Sequence, residues 1–158
     1  MNFELSDEQR AFQHSARDFA AGEFAPHAAR WDAEGIFPRE ALAAAGRLGF
    51  CGLYADERYG GLGLPRLDAT LVFEELAAAC PSTTAYLTIH NMATWMVTRW
   101  ASPELAQDWG PLLSAGEKLG SYCLTEPGAG SDAAALRTTA QREGKHYVLN
   151  GSKAFISG

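Results

Sequence analysis

The spacing of apolar residues changes once along this chain, near Gly116, and that change fixes what each part can become. Upstream the apolar residues follow a helical period. Ser6-Asp7-Glu8-Gln9 is a capping box, with Ser6 at the N-cap and Gln9 at the third helical position. Phe12, Ala16 and Phe19 then fall on one helix face. Pro38 suits the first turn of a helix that carries Leu42, Ala45 and Leu48 inward and stops at Gly49. A glycine-rich loop, Gly60-Gly61-Leu62-Gly63, lies between Asp56 and Pro65. From Leu67 a further helix places Ala69, Val72, Phe73 and Leu76 together and ends before Pro81, because a residue preceding proline avoids the α region. Ser82 opens a long helix to about Trp100, with Ala85, Ile89, Met92 and Met96 as its stripe. Its other faces carry Tyr86, His90, Asn91 and Trp95 with few charges, which predicts burial on most sides. Ser102-Pro103-Glu104 caps one more helix, with Leu105, Trp109 and Leu112 inside.

Downstream the pattern is that of strands. Leu119 to Leu124 is short and apolar, Leu136 to Gln141 is threonine-rich, His146 to Leu149 alternates, and Phe155-Ile156 begins another strand. Asn150-Gly151 reads as a hairpin turn. The fold class is therefore α+β, with an all-helical domain over 1–118 and the first strands of a β domain over 119–158. Roughly three or four strands bury little surface and leave their edges open. On these grounds the chain reads as truncated, the N-terminal part of a larger protein.

Composition removes several function classes. At 47% hydrophobic and 20% charged residues, the chain is globular and not disordered. A net charge of −6 without a basic stripe argues against a nucleic-acid footprint. There is no apolar run long enough for membrane insertion, and Met1-Asn2-Phe3-Glu4-Leu5 resembles neither a signal peptide nor a transit peptide. Cys51, Cys80 and Cys123 are odd in number and widely spaced, which suits reduced thiols and a cytoplasmic location. His14, His27, His90 and His146 are dispersed, so no metal site is expected.

The segment richest in chemistry is Tyr122-Cys123-Leu124-Thr125-Glu126-Pro127-Gly128-Ala129-Gly130-Ser131-Asp132. Gly128 and Gly130 lack a Cβ, so the backbone there can approach a ligand closely. Concave runs of amides bind phosphate, and the Thr125 and Ser131 hydroxyls can donate to an anion or a heteroaromatic edge. Gly128-Ala129-Gly130-Ser131-Asp132-Ala133 satisfies the dinucleotide fingerprint, but Thr125-Glu126-Pro127 interrupts the required strand and no parallel strand follows. A P-loop is excluded because no lysine with serine or threonine follows the glycines.

Tyr122 to Asp132, together with Asn150-Gly151-Ser152-Lys153-Ala154-Phe155-Ile156-Ser157-Gly158, resembles the two flavin-contacting segments of the acyl-CoA dehydrogenase family. The Tyr59 to Gly63 loop and the Glu74-Glu75-Leu76 helix agree with it. Phe155 departs from the commoner tryptophan, keeping an aromatic face but no indole N–H. Within the family, Cys80-Pro81-Ser82-Thr83-Thr84-Ala85-Tyr86 and Ile89-His90-Asn91-Met92 resemble the isobutyryl-CoA dehydrogenase branch. The resemblance implies an N-terminal helical domain followed by a β-barrel-like middle domain. It implies FAD as cofactor, with Tyr122, Cys123, Leu124 and Thr125 along the isoalloxazine edge, Gly130 and Ser131 toward the pyrophosphate, and Phe155, Ile156 and Ser157 flanking the ring. Ser131 would also meet the CoA arm of the substrate.

The reaction so implied removes two hydrogens from adjacent carbons of an acyl-CoA, a carboxylate taking the α-proton and FAD accepting the hydride. Tyr86 and Met92 are expected to shorten the acyl pocket. No catalytic base is expected in this chain: Glu126 is not assigned that role, and Glu74 and Glu75 read as solvated helix residues. The implied partners are an acyl-CoA, an electron-transferring flavoprotein and further copies of the chain, as a homotetramer at full length. The fragment alone would be inactive. The other reading is a free-standing helical binding module without catalysis.

Overall fold

A computed structural model describes residues 4–157. The Met1-Asn2-Phe3 start and Gly158 of the second motif lie outside them. Residues up to Gly120 form one compact unit, and those from Ser121 form a second.

In the first unit, α1 (Asp7–Phe19) begins at the expected capping box. The Gln9 amide donates to the Ser6 hydroxyl at 3.1 Å, and the Ser6 amide donates to the Gln9 side chain at 3.0 Å. Ala16 and Phe19 are buried and Phe12 packs against them, as the period predicts. A single π turn, Ala20–Phe24, carries the chain on toward α2 (Ala28–Glu34). Phe19 meets Phe24 and Phe50 edge-on, and Phe24 meets Trp31 in the same way, so these four rings form a continuous piece of core.

In α3 (Arg39–Arg47), Leu42 and Ala45 are inside. Pro38 is its N-cap and not its first-turn residue. Leu48 does not point inward as expected but is half exposed. Gly49 reverses the chain at φ 81°, and the Phe50 amide returns to the Ala45 carbonyl at 3.0 Å, so Phe50 and Cys51 take the inward place. The glycine-rich loop closes against the segment after α3. Leu62 N donates to Gly52 O at 2.9 Å and Leu64 N to Leu53 O at 2.8 Å. A Cβ on Gly61 would lie 2.2 Å from the Ala55 carbonyl oxygen, so close backbone approach requires glycine there.

Helix α4 (Arg66–Ala79) buries Ala69, Val72 and Leu76 as the pattern predicts, with Phe73 half buried beside them. Its Glu75 corrects the sequence reading. The carboxylate is mostly covered and accepts two hydrogen bonds from the Arg17 guanidinium, at 2.6 and 2.9 Å, whereas Glu74 is exposed.

Helices α5 (Pro81–Trp100) and α6 (Pro103–Ser114) reverse the sequence expectation. In α5, Ala85 is exposed and Ile89, Met92 and Met96 are half buried. The inward face is Thr83, Thr84, Tyr86, Leu87, His90, Asn91, Thr94 and Thr98. The threonines can sit there because their hydroxyls donate to carbonyls one turn back: Thr84 to Cys80 at 2.9 Å, Thr94 to His90 at 2.8 Å and Thr98 to Thr94 at 3.0 Å. Only their methyl groups then need to be packed. The Asn91 amide donates to Phe50 O and Leu87 O and accepts from Leu53 N, all within 2.9 Å. In α6, Leu105 and Trp109 are exposed and Leu112 is half buried, while Ala106, Gly110 and Leu113 face inward. A Cβ on Gly110 would approach Tyr59 Cβ to 2.7 Å, so small residues mark the face where α6 packs. Ser102 caps α6 as predicted.

The second unit contains β1 (Thr139–Glu143) and β2 (His146–Asn150), paired antiparallel from Thr139 with Asn150 to Glu143 with His146. The hairpin turns at Gly144-Lys145, with Gly144 at φ 62°, and not at Asn150-Gly151. Gly151 has another reason to be glycine: a Cβ there would lie 2.1 Å from the Thr138 hydroxyl. Residues 119–124 and 155–156 run outside any strand ladder among the described residues, so two of the expected strands are not formed as such.

Candidate functional site

The second unit is organised by Glu126. Glu126-Pro127-Gly128-Ala129 closes as a tight turn, with Glu126 N donating to Ala129 O at 2.9 Å and Ala129 N to Glu126 O at 3.1 Å. The Glu126 residue is only 8% exposed. Its carboxylate accepts from the Arg137 amide at 2.7 Å, the Thr138 amide at 2.9 Å and the Lys153 ammonium at 3.0 Å. The Thr138 side chain beside it, these amides and the Lys153 ammonium hold its carboxyl down to about 2, against an opposing effect of burial. Glu126 is therefore ionised and its oxygens are already engaged.

Lys153 also donates to Leu124 O at 2.9 Å, and Ala154 N donates to Thr125 O at 2.9 Å. The Ser121 hydroxyl donates to the Ser157 carbonyl. These bonds set the two motifs side by side in opposite directions. Tyr122, Cys123, Leu124 and Thr125 thus lie along Phe155, Ile156 and Ser157. Tyr122, Leu124, Thr125 and Ile156 are half buried, and Cys123 and Ser157 are exposed. Phe155 is 94% exposed and holds a left-handed φ of 57°, a position few non-glycine residues adopt. Gly130 and Ser131 follow the turn and lead into a 3₁₀ turn at Ala133–Ala135, with Ser131 exposed.

Gly128 and Gly130 differ from Gly61 and Gly151. Neither has a positive φ, and a Cβ on either would meet no atom within 4 Å. Neither backbone conformation nor packing within this chain requires glycine at these positions. What glycine does leave is room for a bound group. The same two motifs carry a backbone outside any ladder at 121–125, the Thr125 and Ser131 hydroxyls, and the exposed ring of Phe155. This donor set with an aromatic face suits the edge of a flavin and its phosphates. A cleft of about 290 Å³ adjoins the turn, lined by Glu126, Pro127, Gly128, Arg137 and Thr138 among others.

The clamp partners Lys153, Arg137 and Thr138 are not among the residues that the sequence singles out for a role. The available signal was one acidic and one basic residue, Glu126 and Lys153, each standing among mostly neutral neighbours in its motif. Among the described residues no group of three or more histidine, cysteine or acidic side chains could hold a metal ion. The three thiols are free. Cys51 and Cys80 are buried and Cys123 is exposed, and burial pushes the Cys51 thiol up to about 12.

Residues 6–117 match the family model described as "Acyl-CoA dehydrogenase, N-terminal domain", and residues 121–158 match "Acyl-CoA dehydrogenase, middle domain". The chain is 54% identical to the mitochondrial isobutyryl-CoA dehydrogenase of Bos taurus over 98% of its own length and 37% of that protein's, and 49% identical to the corresponding protein of Dictyostelium discoideum over the same shares. Short-chain specific acyl-CoA dehydrogenase of Clostridium acetobutylicum is 38% identical, over 99% of this chain and 42% of that protein. Among solved structures, the glutaryl-coenzyme A dehydrogenase–glutaryl-CoA complex superposes with a TM-score of 0.91 at 38% identity, covering 99% of this chain and 40% of that one. A chain from the structure of the electron transferring flavoprotein of Acidaminococcus fermentans gives 0.91 at 35% identity, covering 99% and 41%. The chain thus spans about two-fifths of the length of these relatives. On the strength of both family models and these identities, the chain belongs to the acyl-CoA dehydrogenase family.

Proposed function

We propose that this chain forms the helical domain (1–118) and the opening of the middle domain (119–158) of an FAD-dependent dehydrogenase acting on a short or branched acyl-CoA, of the isobutyryl-CoA type. The observation that carries the flavin part is Gly128 and Gly130, glycines that nothing in their own chain requires, beside two motifs hydrogen-bonded side by side. The substrate branch is supported by 54% and 49% identity to two isobutyryl-CoA dehydrogenases, against 36–38% for the short-chain enzymes compared.

FAD, when bound, supplies the hydride acceptor. In this reading residues 122–125 present backbone groups and the Thr125 hydroxyl to the isoalloxazine edge. Gly130 and Ser131 receive the pyrophosphate, with Ser131 also toward the CoA arm, and Phe155, Ile156 and Ser157 cover the ring. Glu126 shapes this surface without touching the chemistry, because its carboxylate is held by Arg137, Thr138 and Lys153. Tyr86 and Met92 are assigned to the acyl-chain preference; in the structure Tyr86 is buried and Met92 half buried in the helical unit. Electrons pass on to an electron-transferring flavoprotein, and the full-length enzyme is a homotetramer. The free thiols favour a reducing compartment, the cytoplasm, and no helix among the described residues is long and apolar enough to cross a membrane. The chain by itself binds FAD weakly and is inert, since it offers only part of the contacts and Glu126, the carboxylate of the first motif, is already engaged.

The test joins these 158 residues to the part of the bovine relative beyond its matching region. The chimera should take up FAD and oxidise isobutyryl-CoA with a higher kcat/KM than octanoyl-CoA. A flavin-free chimera that is otherwise folded would contradict the cofactor assignment. A preference for octanoyl-CoA would remove the substrate branch alone.

A further inference from the structure

Within the second unit the two motifs are pinned together on either side of Phe155. The Lys153 ammonium donates to the Leu124 carbonyl at 2.9 Å and to the Glu126 carboxylate at 3.0 Å. The next residue, Ala154, donates its amide to the Thr125 carbonyl at 2.9 Å. Beyond Phe155, the Ser157 carbonyl accepts from the Ser121 hydroxyl. Between these anchors Phe155 holds a φ of 57°, in the left-handed region where the Cβ of an L-residue crowds the following carbonyl. Packing of its own ring cannot hold it there, because the residue is 94% exposed. A strained residue persists only where its surroundings impose the strain. The surroundings here are the anchors, and Lys153 is the strongest of them. Its donor is charged, one of its two acceptors is a carboxylate, and its side chain is only 25% exposed. Ordering a long lysine side chain costs rotamer freedom, which these bonds offset.

We infer that Lys153 is a positioning residue: by bridging Leu124 and Glu126 it keeps residues 153–154 on the first motif and so imposes the left-handed conformation that turns the Phe155 ring outward. What the ring meets rests on the flavin reading of the two motifs; the conformational role does not. Without the ammonium, the Leu124 carbonyl loses its charged donor and Glu126 keeps only the Arg137 and Thr138 amides. The Ala154–Thr125 bond then stands alone on that side against the strain at Phe155, and the segment relaxes toward an extended φ. A glycine at 155 removes the strain, because glycine populates both signs of φ. The effect of Lys153 therefore depends on which residue stands at 155. That dependence separates positioning of Phe155 from a general contribution to stability.

The test uses the 158-residue chain, labelled for NMR, near neutral pH. The backbone carbon shifts and the amide–Hα coupling of Phe155 should report a left-handed φ. Ala154 amide exchange should be at least about tenfold slower than in Lys153→Met, which keeps an unbranched side chain and deletes the ammonium. In Lys153→Met the Phe155 signals should move to extended values. Combining Lys153→Met with Phe155→Gly should recover most of the Ala154 protection. An extended φ at Phe155 in the unaltered chain overturns the inference, whatever becomes of the variants. So does Ala154 exchange that ignores Lys153→Met, or a double variant no better protected than Lys153→Met alone. In the bovine chimera Lys153→Met should weaken FAD affinity about tenfold and shift the flavin band. A band and affinity that ignore Lys153 while the NMR responses hold would count against placing flavin on Phe155 and leave the positioning of Phe155 standing.

Discussion

In the unit ending at Gly120, Leu42, Leu53, Leu76 and Leu87 are wholly removed from water, whereas in the unit that follows every residue of β1 and β2 is exposed, Leu149 at 71%. Each fully buried leucine contributes about 1.5–3 kcal/mol. The helical unit therefore has the ordinary means of offsetting the entropy of ordering its chain. The second unit has almost none. It is held by a polar clamp, Glu126 with the Arg137 and Thr138 amides and Lys153, and by the bonds between its two motifs. The first should respond to cavities, the second to charge and pH.

The largest effect should come from the core of the first unit. Leu76→Ala removes a fully buried side chain and should cost about 2–5 kcal/mol in urea unfolding followed by circular dichroism. Leu149→Ala, at the exposed counterpart in β2, should stay within about 0.5 kcal/mol. Similar losses at both positions would erase the difference between the units. Next comes Asn91→Ala, which leaves the Leu53 amide and the Phe50 carbonyl unpaired inside the helical unit. It should cost about 1–3 kcal/mol by the same measurement. A negligible change would mean that water replaces the amide, and that α5 does not need its polar inner face.

A third effect should be confined to the second unit. Glu126 has a folded value of about 2 against an ordinary 4.5, so its contribution is complete above 4.5 and is lost as pH falls from there toward 2. The Arg137 and Thr138 amide resonances should shift in that window and should lose the transition in Glu126→Gln. A midpoint near the ordinary value of 4.5 would show that the clamp is open in solution. The smallest effect is expected for Thr125→Val in the bovine chimera. It deletes one hydroxyl at nearly constant volume, so flavin affinity should weaken by about 0.5–1.5 kcal/mol with a shifted flavin band. An unchanged band and affinity would separate Thr125 from the ring.

The same contrast explains what could be read from the sequence. In α1 and α4 the apolar residues of the predicted stripe face inward, with Leu67 at the start of α4 left exposed, so the helical period located both the elements and their buried faces. In α5 and α6 it located the helices but not the faces. Threonines that bond to their own helix behave as small apolar groups, and Ala106 and Gly110 face inward because small residues permit close packing. Gly144-Lys145 carries the hairpin turn because the register of β1 and β2 leaves only those two residues between them. Asn150-Gly151 has the composition of a turn, yet its glycine answers to a close approach of Thr138. The motif residues were legible because glycine, hydroxyl and aromatic types sit in short continuous runs. The clamp was not, because Glu126 and Lys153 stand 27 positions apart and nothing local links them.

The division between a unit closed by its core and a unit held by a clamp is tested most directly by residue-resolved hydrogen exchange on the 158-residue chain near neutral pH. Amides of Val72, Leu76 and Leu87 should exchange only through global unfolding, while those of Tyr147 to Leu149 should exchange near the unprotected rate or through a much smaller local opening. Equal protection in β2 and in α4 would contradict a second unit held only by its clamp and the bonds between its two motifs.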